Sequence, residues 1–494
     1  MTGKLADIWL RELEKQSGGS DPRNFTIAFI LTRGLSLSDL FLERLDRYSK
    51  LPDYDEKIAS LLALHYPEKY FNQTVLKTEK VLIDVTNTRK QPYTTGIQRV
   101  VRNLCNSSPN AQLVYFDPDG RVRATNGSSP KENRVSNANI KIVLLGTRLW
   151  HAIFNTNEEK NRFAFLQPLA VKMGEPIRTA LLKSSRKFAS LDTPLDVSSS
   201  YLVVAEVPTN SSHVDALIGL ARSSGTRITV LLHDLIPLVH PELTPTDPRH
   251  IFLKFLQFIC SVDRVICISE EVERQYLNYV DMQPKKRAGQ EVLVLEYPEE
   301  PKFEGSDGAI NAEAINERIG FSAVQDRFLL AVGTLTRRKN LGLIVQAMDY
   351  LEGPSSDVKL LLVGRKGFDS QYIDDELLLS RNSQEKVRIL EGVSDAELQY
   401  LISKSSGILF PSTAEGFGLP IIEATAAKKK IVVSDVEPMR SIGNSVGAIV
   451  LPENDILAWR DAMVQILSEE EFVNLRESNE NFSWETWAKV VCAG

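Results

Sequence analysis

The sequence of 494 residues has no stretch in which about eighteen apolar residues follow one another, the length that a membrane-spanning helix needs. Its opening segment, MTGKLADIWLRELEK, also lacks the apolar core of a signal peptide. We therefore expect a cytoplasmic protein that does not span a membrane. Hydrophobic residues make up 43% of the chain and charged residues 25%, the composition of a globular protein long enough for more than one domain.

Cysteine and positive charge are also scarce. The 4 cysteines are scattered without a Cys-x-x-Cys pair, which is typical of free thiols in a reducing compartment and not of disulfides or a zinc site. The 58 lysines and arginines are outnumbered by 64 acidic residues, so the formal net charge is −6. Because proteins that bind nucleic acid usually carry a basic excess, we expect no nucleic acid partner.

Patterns that predict a metal site are weak. The three histidines closest to one another along the chain, His233, His240 and His250, lack the three- to five-residue spacing of common zinc motifs. The segment 116–121, FDPDGR, has the Asp-x-Asp spacing of a divalent-metal site, but its proline and glycine indicate a turn. We therefore expect no bound metal.

The distribution of apolar residues indicates several segments. Residues 1–78 show helical spacing and predict a helical extension, and from residue 79 short buried-strand patterns alternate with helical ones. Such alternation predicts an α/β protein with parallel sheets wrapped by helices. We divide the remainder into 79–300, a linker at 301–312 rich in proline, glycine and acids, 313–475, and a helix within 476–494. Two doubly wound, Rossmann-like domains would face a cleft with the loops at the carboxyl ends of their strands.

Several of these predicted loops carry polar or glycine-rich sequences. In AVGTLTRRKNLGL a strand ends at Gly333 and a helix begins near Asn340, with Arg337, Arg338 and Lys339 in the turn. Three cations near a helix N-terminus favour a phosphate or diphosphate, although a solvated basic turn would have the same sequence. The loops after the next predicted strands contain glycines, which allow a ligand to approach the backbone closely. These glycines are Gly364, Gly367, Gly392, Gly416 and Gly418.

The segment 413–426, TAEGFGLPIIEATA, places Glu415 and Glu423 around a glycine turn and an apolar run. Ionised carboxylates are costly to bury without partners, so this arrangement suggests a ligand that supplies hydrogen-bond donors. The alternative is a helix that begins at Leu419 and carries two solvated acids.

These motifs resemble those of the retaining, GT-B fold glycosyltransferases of family GT4, over roughly residues 80–490. The most specific part is PSTAEGFGLPIIEA, which is similar to that family's Glu-x7-Glu signature. GTLTRRKN, LVGRKGFDS and LEGVSDAEL add to it, while IDVTNTRKQPYTTGIQRVVRNL and LLHDLIPLVHPEL resemble the acceptor domain of enzymes of bacterial surface polysaccharide assembly. The resemblance implies a GT-B fold, an acceptor domain at 79–300 and a donor-binding domain at 313–475.

The resemblance also implies roles for individual residues. Glu423 would accept hydrogen bonds from ribose hydroxyls, Glu415 would lie beside the transferred sugar, and Arg338 with Lys339 would bind the phosphates. The catalytic candidates are Glu415, His233 and Asp234. The remaining donor-binding candidates are Gly333, Gly364, Arg365, Gly392, Val393, Gly416, Phe417, Gly418, Leu419 and Gly96.

Three of these assignments leave alternatives open. Gly96 matches the family's glycine loop after the first strand, but a plain strand-to-helix turn would also contain it. His233 could contact the sugar or a local structural partner, since relatives also have tyrosine before this aspartate. Many family members have an arginine where this chain has Thr334, so we expect Arg338 to replace it.

The predicted activity is transfer of a sugar from a nucleotide-sugar, GDP-mannose or a UDP-sugar, to a glycan or polyprenyl-linked glycan, without a metal or cofactor. A catalytically inactive binding subunit of a polysaccharide assembly complex is the non-enzymatic alternative. An NAD-dependent oxidoreductase is a further alternative, but no Gly-x-Gly-x-x-Gly follows any predicted strand. Residues 1–78 are expected to mediate either peripheral membrane contact at the inner face of the cytoplasmic membrane or homo-oligomer formation.

Overall fold

The computed structural model describes residues 57–58, 76–77, 80–90, 96–117, 122–125, 195–196, 200–223, 226–283, 289–298, 310–381, 383–468 and 482–493. Outside these residues lie most of the predicted helical extension and most of the predicted linker. The apolar run IKIVLLG at 140–146, whose pattern also predicts a strand, lies outside them as well. The chain forms two compact units. The first comprises residues 1–94, 109–200 and 218–226, and the second comprises 95–108, 201–217 and 227–494.

The first unit contains short strands, which are β1 (Leu76–Lys77), β2 (Val81–Asp84), β3 (Gln112–Phe116), β4 (Val122–Ala124) and β5 (Leu195–Asp196). β2 pairs in parallel with β3, β3 in antiparallel with β4, and β1 in parallel with β5. A 3₁₀ turn covers Thr88–Lys90. Strand β2 confirms a strand in the apolar run KVLIDVT, where Leu82, Ile83 and Val85 are buried. A run of apolar residues without polar alternation is typical of a parallel strand that is buried on both faces.

The second unit contains a parallel sheet with strands β6 (Tyr201–Val204), β7 (Arg227–Leu232), β8 (Arg264–Cys267) and β9 (Glu291–Val294). Their order is β6, β7, β8, β9, with Leu232 opposite Cys267 and Cys267 opposite Val294. The helices between residues 96 and 281 are α1 (Gly96–Asn106), α2 (Ser211–Ser223), α3 (Ile236–Val239), α4 (Thr246–Ile259) and α5 (Glu270–Asp281), with a 3₁₀ turn at Pro241–Leu243. α5 begins where the Ser269 side chain accepts a hydrogen bond from the Val272 amide, and serine is a preferred residue at this position before a helix.

A second, six-stranded parallel sheet follows in the same unit. Its strands are β10 (Phe328–Val332), β11 (Lys359–Val363), β12 (Val387–Leu390), β13 (Gly407–Phe410), β14 (Ile431–Ser434) and β15 (Ile449–Leu451). Its helices are α6 (Ala312–Ile319), α7 (Leu341–Met348), α8 (Gln371–Leu379), α9 (Ser383–Lys386), α10 (Asp395–Lys404), α11 (Leu419–Ala426), α12 (Met439–Val446) and α13 (Ile456–Ser468), with 3₁₀ turns at Arg337–Lys339 and Gly353–Ser355. Trp459 and Met463 of α13 pack with α7 and the sheet in one buried core.

The strand order of this sheet is β12, β11, β10, β13, β14, β15. The chain therefore adds β11 and β12 on one side of β10, and then adds β13, β14 and β15 on the other side. In open α/β sheets, ligands bind beyond the carboxyl ends of the strands at such a reversal of order. The loops after β10 and β13 are neighbours here, since the Thr413 amide donates to the Arg338 carbonyl over 2.9 Å.

The last described helix, α14 (Trp484–Cys492), lies in the predicted C-terminal segment. The Arg264 guanidinium of β8 donates to the carbonyl of Val490 over 2.9 Å, and the Tyr201 hydroxyl of β6 donates to the carbonyl of Ala493 over 3.0 Å. α14 therefore packs against the β6–β9 sheet of its own unit. Within the part of the chain that the structure describes, every helix is too short or too polar to cross a bilayer.

Candidate active site

Arg338, Lys339 and Glu415, which we call the Glu415 cluster, join the loops after β10 and β13. The Arg338 guanidinium donates to Oε2 of Glu415 over 2.6 Å, and Lys339 Nζ donates to Oε1 over 2.5 Å. Arg338 also donates to the Ala414 carbonyl over 2.7 Å. Both carboxylate oxygens are thus engaged, and the two predicted phosphate-binding cations lie against the predicted catalytic acid.

The electrostatics of the Glu415 cluster fix its protonation state. Burial alone would raise the pKa of Glu415, but the charges and hydrogen bonds of Arg338 and Lys339 outweigh burial and bring that pKa to about 2. Burial lowers the pKa of Lys339, and Glu415 opposes this effect. Counted as formal charges, the two bases bring two positive charges to the one negative charge of Glu415. The three residues of the Glu415 cluster thus have a formal excess of one positive charge for an anionic ligand.

Glu423 lies on α11, one turn beyond Leu419, and only 7% of its surface is exposed. Its Oε1 accepts a hydrogen bond from the Arg99 guanidinium of α1. Within the described part of the chain, its Oε2 is buried and has no hydrogen-bond partner. Burial raises the pKa of Glu423 while Arg99 lowers it. A buried carboxylate oxygen without a donor fits a hydroxyl of a bound ligand.

The end of β7 contacts the loop after β13 through its backbone. A Cβ atom on Gly416 would lie 1.9 Å from the carbonyl oxygen of His233 and 3.0 Å from Cβ of Asp234, so only glycine fits there. Ser269, after β8, donates from its hydroxyl to the Gly416 carbonyl over 2.8 Å. The predicted catalytic residues His233 and Asp234 are therefore held beside the loop that carries Glu415.

Both ring nitrogens of His233 have protein partners. Nε2 lies 2.8 Å from the Ala205 carbonyl, and Nδ1 lies 2.7 Å from the Tyr297 hydroxyl. Because a carbonyl only accepts, Nε2 carries the proton and Nδ1 accepts from Tyr297. Burial lowers the pKa of His233 to about 4, although the hydrogen bond to Ala205 opposes the shift. This arrangement favours the local structural role, and a catalytic role of His233 stays a prediction.

Asp234 is held differently, because its Oδ1 accepts a hydrogen bond from the Ile236 amide over 3.0 Å at the start of α3. Burial raises its pKa, and the positive charge of Arg338 opposes that rise. The carboxyl group of Asp234 therefore belongs to the electrostatic surroundings of the Glu415 cluster.

We expect His233 to make stability depend on pH. The unfolded chain takes up a proton near pH 6.5, while the folded protein does so near pH 4, so the free energy of unfolding falls as pH drops between these values. The slope is at most about 1.4 kcal/mol per pH unit. His233→Gln should reduce this dependence in urea unfolding at pH 7 and pH 5, whereas His240→Gln, which replaces an exposed histidine, should not. Equal pH dependence in wild type and His233→Gln would contradict this assignment.

Comparison with known proteins identifies the C-terminal part of the chain, since residues 314–483 match the family described as glycosyl transferases group 1. This part is a glycosyl transferases group 1 domain. Arg338, Lys339, Glu415 and Glu423 lie in this domain, whereas Arg99 lies outside it.

Relatives of known activity are similar to parts of the chain. The serotype-specific mannosyltransferase WbdA of Escherichia coli is 26% identical over 276 residues, which are 54% of this chain and 33% of WbdA. The O-antigen chain mannosyltransferase B of Escherichia coli is 30% identical over 32% of this chain and 42% of that protein. The GDP-mannose:cellobiosyl-diphosphopolyprenol alpha-mannosyltransferase of Komagataeibacter xylinus is 30% identical over 28% of this chain and 36% of that protein. The matched segments thus span a third to two fifths of these relatives.

Solved structures share the fold. An alpha,alpha-trehalose-phosphate synthase (UDP-forming) from Burkholderia vietnamiensis superposes with a TM-score of 0.53 at 13% identity, covering 84% of this chain and 96% of that one. The trehalose-6-phosphate synthase OtsA gives a TM-score of 0.53 at 12% identity, covering 83% and 97%. At these identities the likeness shows the fold alone. The chain has the predicted GT-B fold, with two Rossmann-like halves.

The other predicted donor-binding residues, apart from Gly96 on α1, lie in the loops that follow strands of the group 1 domain's sheet. Gly333 and Gly364 cross so closely that a Cβ atom on Gly364 would lie 1.8 Å from the Gly333 carbonyl oxygen. The exposed Arg365 follows β11, and Gly392 with Val393 follows β12. A Cβ atom on Gly96 would make an ordinary contact of 3.5 Å with Leu419. Gly418 precedes the first residue of α11 with a φ of 114°.

Sequence reasoning missed an aromatic cluster that supports this domain. Tyr297, which bonds His233, packs edge-on against Phe417 with ring centroids 5.0 Å apart. Its other neighbours are Trp484 and Trp487 of α14, at 6.0 and 5.8 Å. Sequence reasoning also missed Arg99 and Ser269, which contact Glu423 and Gly416. Among the residues that the structure describes, no group of three or more His, Cys, Asp or Glu side chains could hold a metal ion.

Proposed function

We propose that this protein is a retaining glycosyltransferase that moves a sugar from a nucleotide-sugar to a glycan or polyprenyl-linked glycan in bacterial surface polysaccharide synthesis. The observation that carries the proposal is the buried carboxylate of Glu423, one oxygen of which has no hydrogen-bond partner among the residues that the structure describes. It lies on the same loop-and-helix segment as Glu415, which two cations contact directly. These contacts support the proposal that the Glu423 carboxylate binds a polyol and that the adjacent cations bind phosphates.

The chemistry of transfer explains why both features occur together. The anomeric carbon–oxygen bond to the diphosphate breaks, a bond to the acceptor oxygen forms, and the acceptor's proton passes to the departing phosphate. Positive charge builds on the sugar while negative charge builds on the leaving group. Arg338 and Lys339 stabilise that negative charge, which is why we propose that transfer needs no metal. Glu415, ionised because its pKa is about 2, lies beside them and favours the positive sugar.

The donor and acceptor classes are proposed from the relatives. WbdA and mannosyltransferase B are named as mannosyltransferases, and the Komagataeibacter enzyme is named for GDP-mannose and a diphosphopolyprenol. We therefore place GDP-mannose first, with UDP-sugars as the alternative. Retention at the anomeric carbon is proposed from the resemblance of PSTAEGFGLPIIEA to the GT4 signature.

A thermal-shift screen followed by an assay of donor breakdown tests the proposal. A nucleotide that binds only the folded protein raises the melting temperature in proportion to the logarithm of its concentration. GDP or UDP should do so, and the purified protein should release the sugar of the matching donor with EDTA present. Binding without any turnover, with or without a glycan acceptor, would instead support the inactive binding subunit.

Glu423→Ala is expected to weaken binding of the nucleoside diphosphate about tenfold or more, because hydrogen bonds to a charged group contribute about 1.5–3 kcal/mol. Calorimetric titration with the nucleotide found in the screen measures the effect, and circular dichroism checks that the fold is intact. Asp461→Ala, which removes an exposed carboxylate from α13, is the control and should bind as wild type does. Unchanged affinity in Glu423→Ala would remove Glu423 from the site.

A further inference from the structure

Arg99 forms an ion pair with Glu423, the carboxylate that we propose binds the ribose. It lies in the first turn of α1, its side chain is 20% exposed, and its guanidinium donates to Oε1 of Glu423. Another carboxylate near it is Asp395 at the start of α10, where the closest nitrogen–oxygen distance is 3.8 Å. The first residue of α1, Gly96, faces Leu419, the first residue of α11.

We propose that Arg99 is a further donor-binding residue that changes partner, leaving Glu423 when the ribose binds and moving to the diphosphate of the donor. The inference rests on the proposed function and deepens it. It gives two roles to Arg99, which lies outside the group 1 domain. Arg99 competes with the ribose for Glu423, and it binds the phosphates once the ribose has displaced it.

The first half of the inference follows from the hydrogen-bonding capacity of Glu423. The two hydroxyls of a ribose need two acceptors, and the two oxygens of Glu423 supply them. Oε2 has no partner among the described residues, but Oε1 is held by Arg99. A ribose that uses both oxygens must therefore displace the guanidinium from Oε1.

The second half follows from where the displaced guanidinium can go. Asp395 is partly exposed and already at a long distance, so it is a weak alternative partner. Leu419 begins the same helix about 6 Å before Glu423, since each helical residue adds about 1.5 Å. Gly96, which faces Leu419, lies within one helical turn of Arg99 on α1, so the Arg99 side chain starts close enough to swing over that distance. At its end lie a helix N-terminus and the loop of the Glu415 cluster, where phosphates are favoured.

Charge balance favours the same movement. The Glu415 cluster has a formal excess of only one positive charge, while the diphosphate of a nucleotide-sugar carries two negative charges. Once neutral hydroxyls replace Arg99 at Glu423, the guanidinium charge becomes available to the second phosphate. Arginine suits this role because its planar donors can bind phosphate oxygens in pairs.

The experiment compares a nucleoside with its own diphosphate, guanosine with GDP and uridine with UDP, by calorimetric titration. In Arg99→Ala the nucleoside should bind about threefold more tightly or better, since its competitor is gone. The diphosphate should bind about tenfold more weakly, since a charge-assisted contact is lost. Arg99→Lys, which keeps the charge, should restore part of the preference for the diphosphate. Arg99→Gln serves as the neutral variant if Arg99→Ala does not fold.

Three outcomes would overturn the inference. If the neutral Arg99 variant changes both affinities by the same factor, Arg99 supports Glu423 only by packing or charge. If neither affinity changes, Arg99 is not displaced and does not reach the phosphates. If wild type binds neither ligand of either pair while folded, the proposed function fails together with the inference.

Discussion

Arg338→Ala is expected to lower kcat for donor breakdown by about 100-fold or more, the effect of removing one well-placed donor to a developing anion. The intact donor already carries its diphosphate charge, but that charge grows on the leaving oxygen as the anomeric bond breaks. An interaction that strengthens along the reaction changes kcat more than it changes binding. Lys339→Ala should act in the same direction. Initial rates over a range of donor concentrations give kcat and KM separately.

Arg337→Ala is the matched control, because Arg337 lies in the same 3₁₀ turn but its side chain is exposed. It removes one positive charge from the same loop and should leave kcat within a few-fold of wild type. A rise in KM at unchanged kcat in Arg338→Ala would mean that Arg338 binds the donor without stabilising the transition state. An equal loss in Arg337→Ala would mean that only the overall charge of the loop matters.

The fold could be predicted because its local signals agree with one another. Apolar runs such as FLLAV and GILF are buried on both faces, and they form the adjacent strands β10 and β13. Gly418 and the run after it predicted a helix beginning at Leu419, and α11 begins there. These strands and this helix depend on residues that are close together in the chain, so they could be predicted from the sequence.

The sequence predicted that Arg338, Lys339 and Glu415 lie at the same edge of the sheet. It did not predict that they contact one another. Parallel strands bring their carboxyl ends together, so the loops after β10 and β13 had to be neighbours once the strand order was known. The ion pair between Lys339 and Glu415 joins residues 76 positions apart. Like the pair between Arg338 and Glu415, it depends on side-chain conformations that no sequence period encodes. The sequence therefore predicted the members of the Glu415 cluster but not their contacts.

Arg99 and Tyr297 could not be predicted at all. Arg99 meets Glu423 across 324 positions of chain, and within its own helical segment it is an unremarkable polar residue. Tyr297 follows β9 in a segment without periodicity, yet it bonds His233 and packs on Phe417. The structural partner of His233 could not be predicted for the same reason, because Ala205 is distant from it in sequence.

Gly416→Ala is expected to abolish most of the activity while the protein still folds. The added Cβ atom would lie 1.9 Å from the His233 carbonyl oxygen, far inside any real contact, so the loop after β13 must move by roughly 1 Å or more. That movement displaces Glu415 and the Ala414 carbonyl, which Arg338 contacts. Because a misplacement of about 1 Å can cost about 100-fold in rate, we expect at least that loss in kcat.

The loss must be separated from simple destabilisation, since overpacking also lowers the free energy of unfolding by about 1–3 kcal/mol. Rates are therefore divided by the folded fraction, which thermal unfolding followed by circular dichroism provides. Gly96→Ala is the control for stability, because its Cβ atom would meet Leu419 at an ordinary 3.5 Å and should leave the melting temperature nearly unchanged. If folded Gly416→Ala turned over donor at the wild-type rate, the contact between the end of β7 and the loop of Glu415 would not position the catalytic acid.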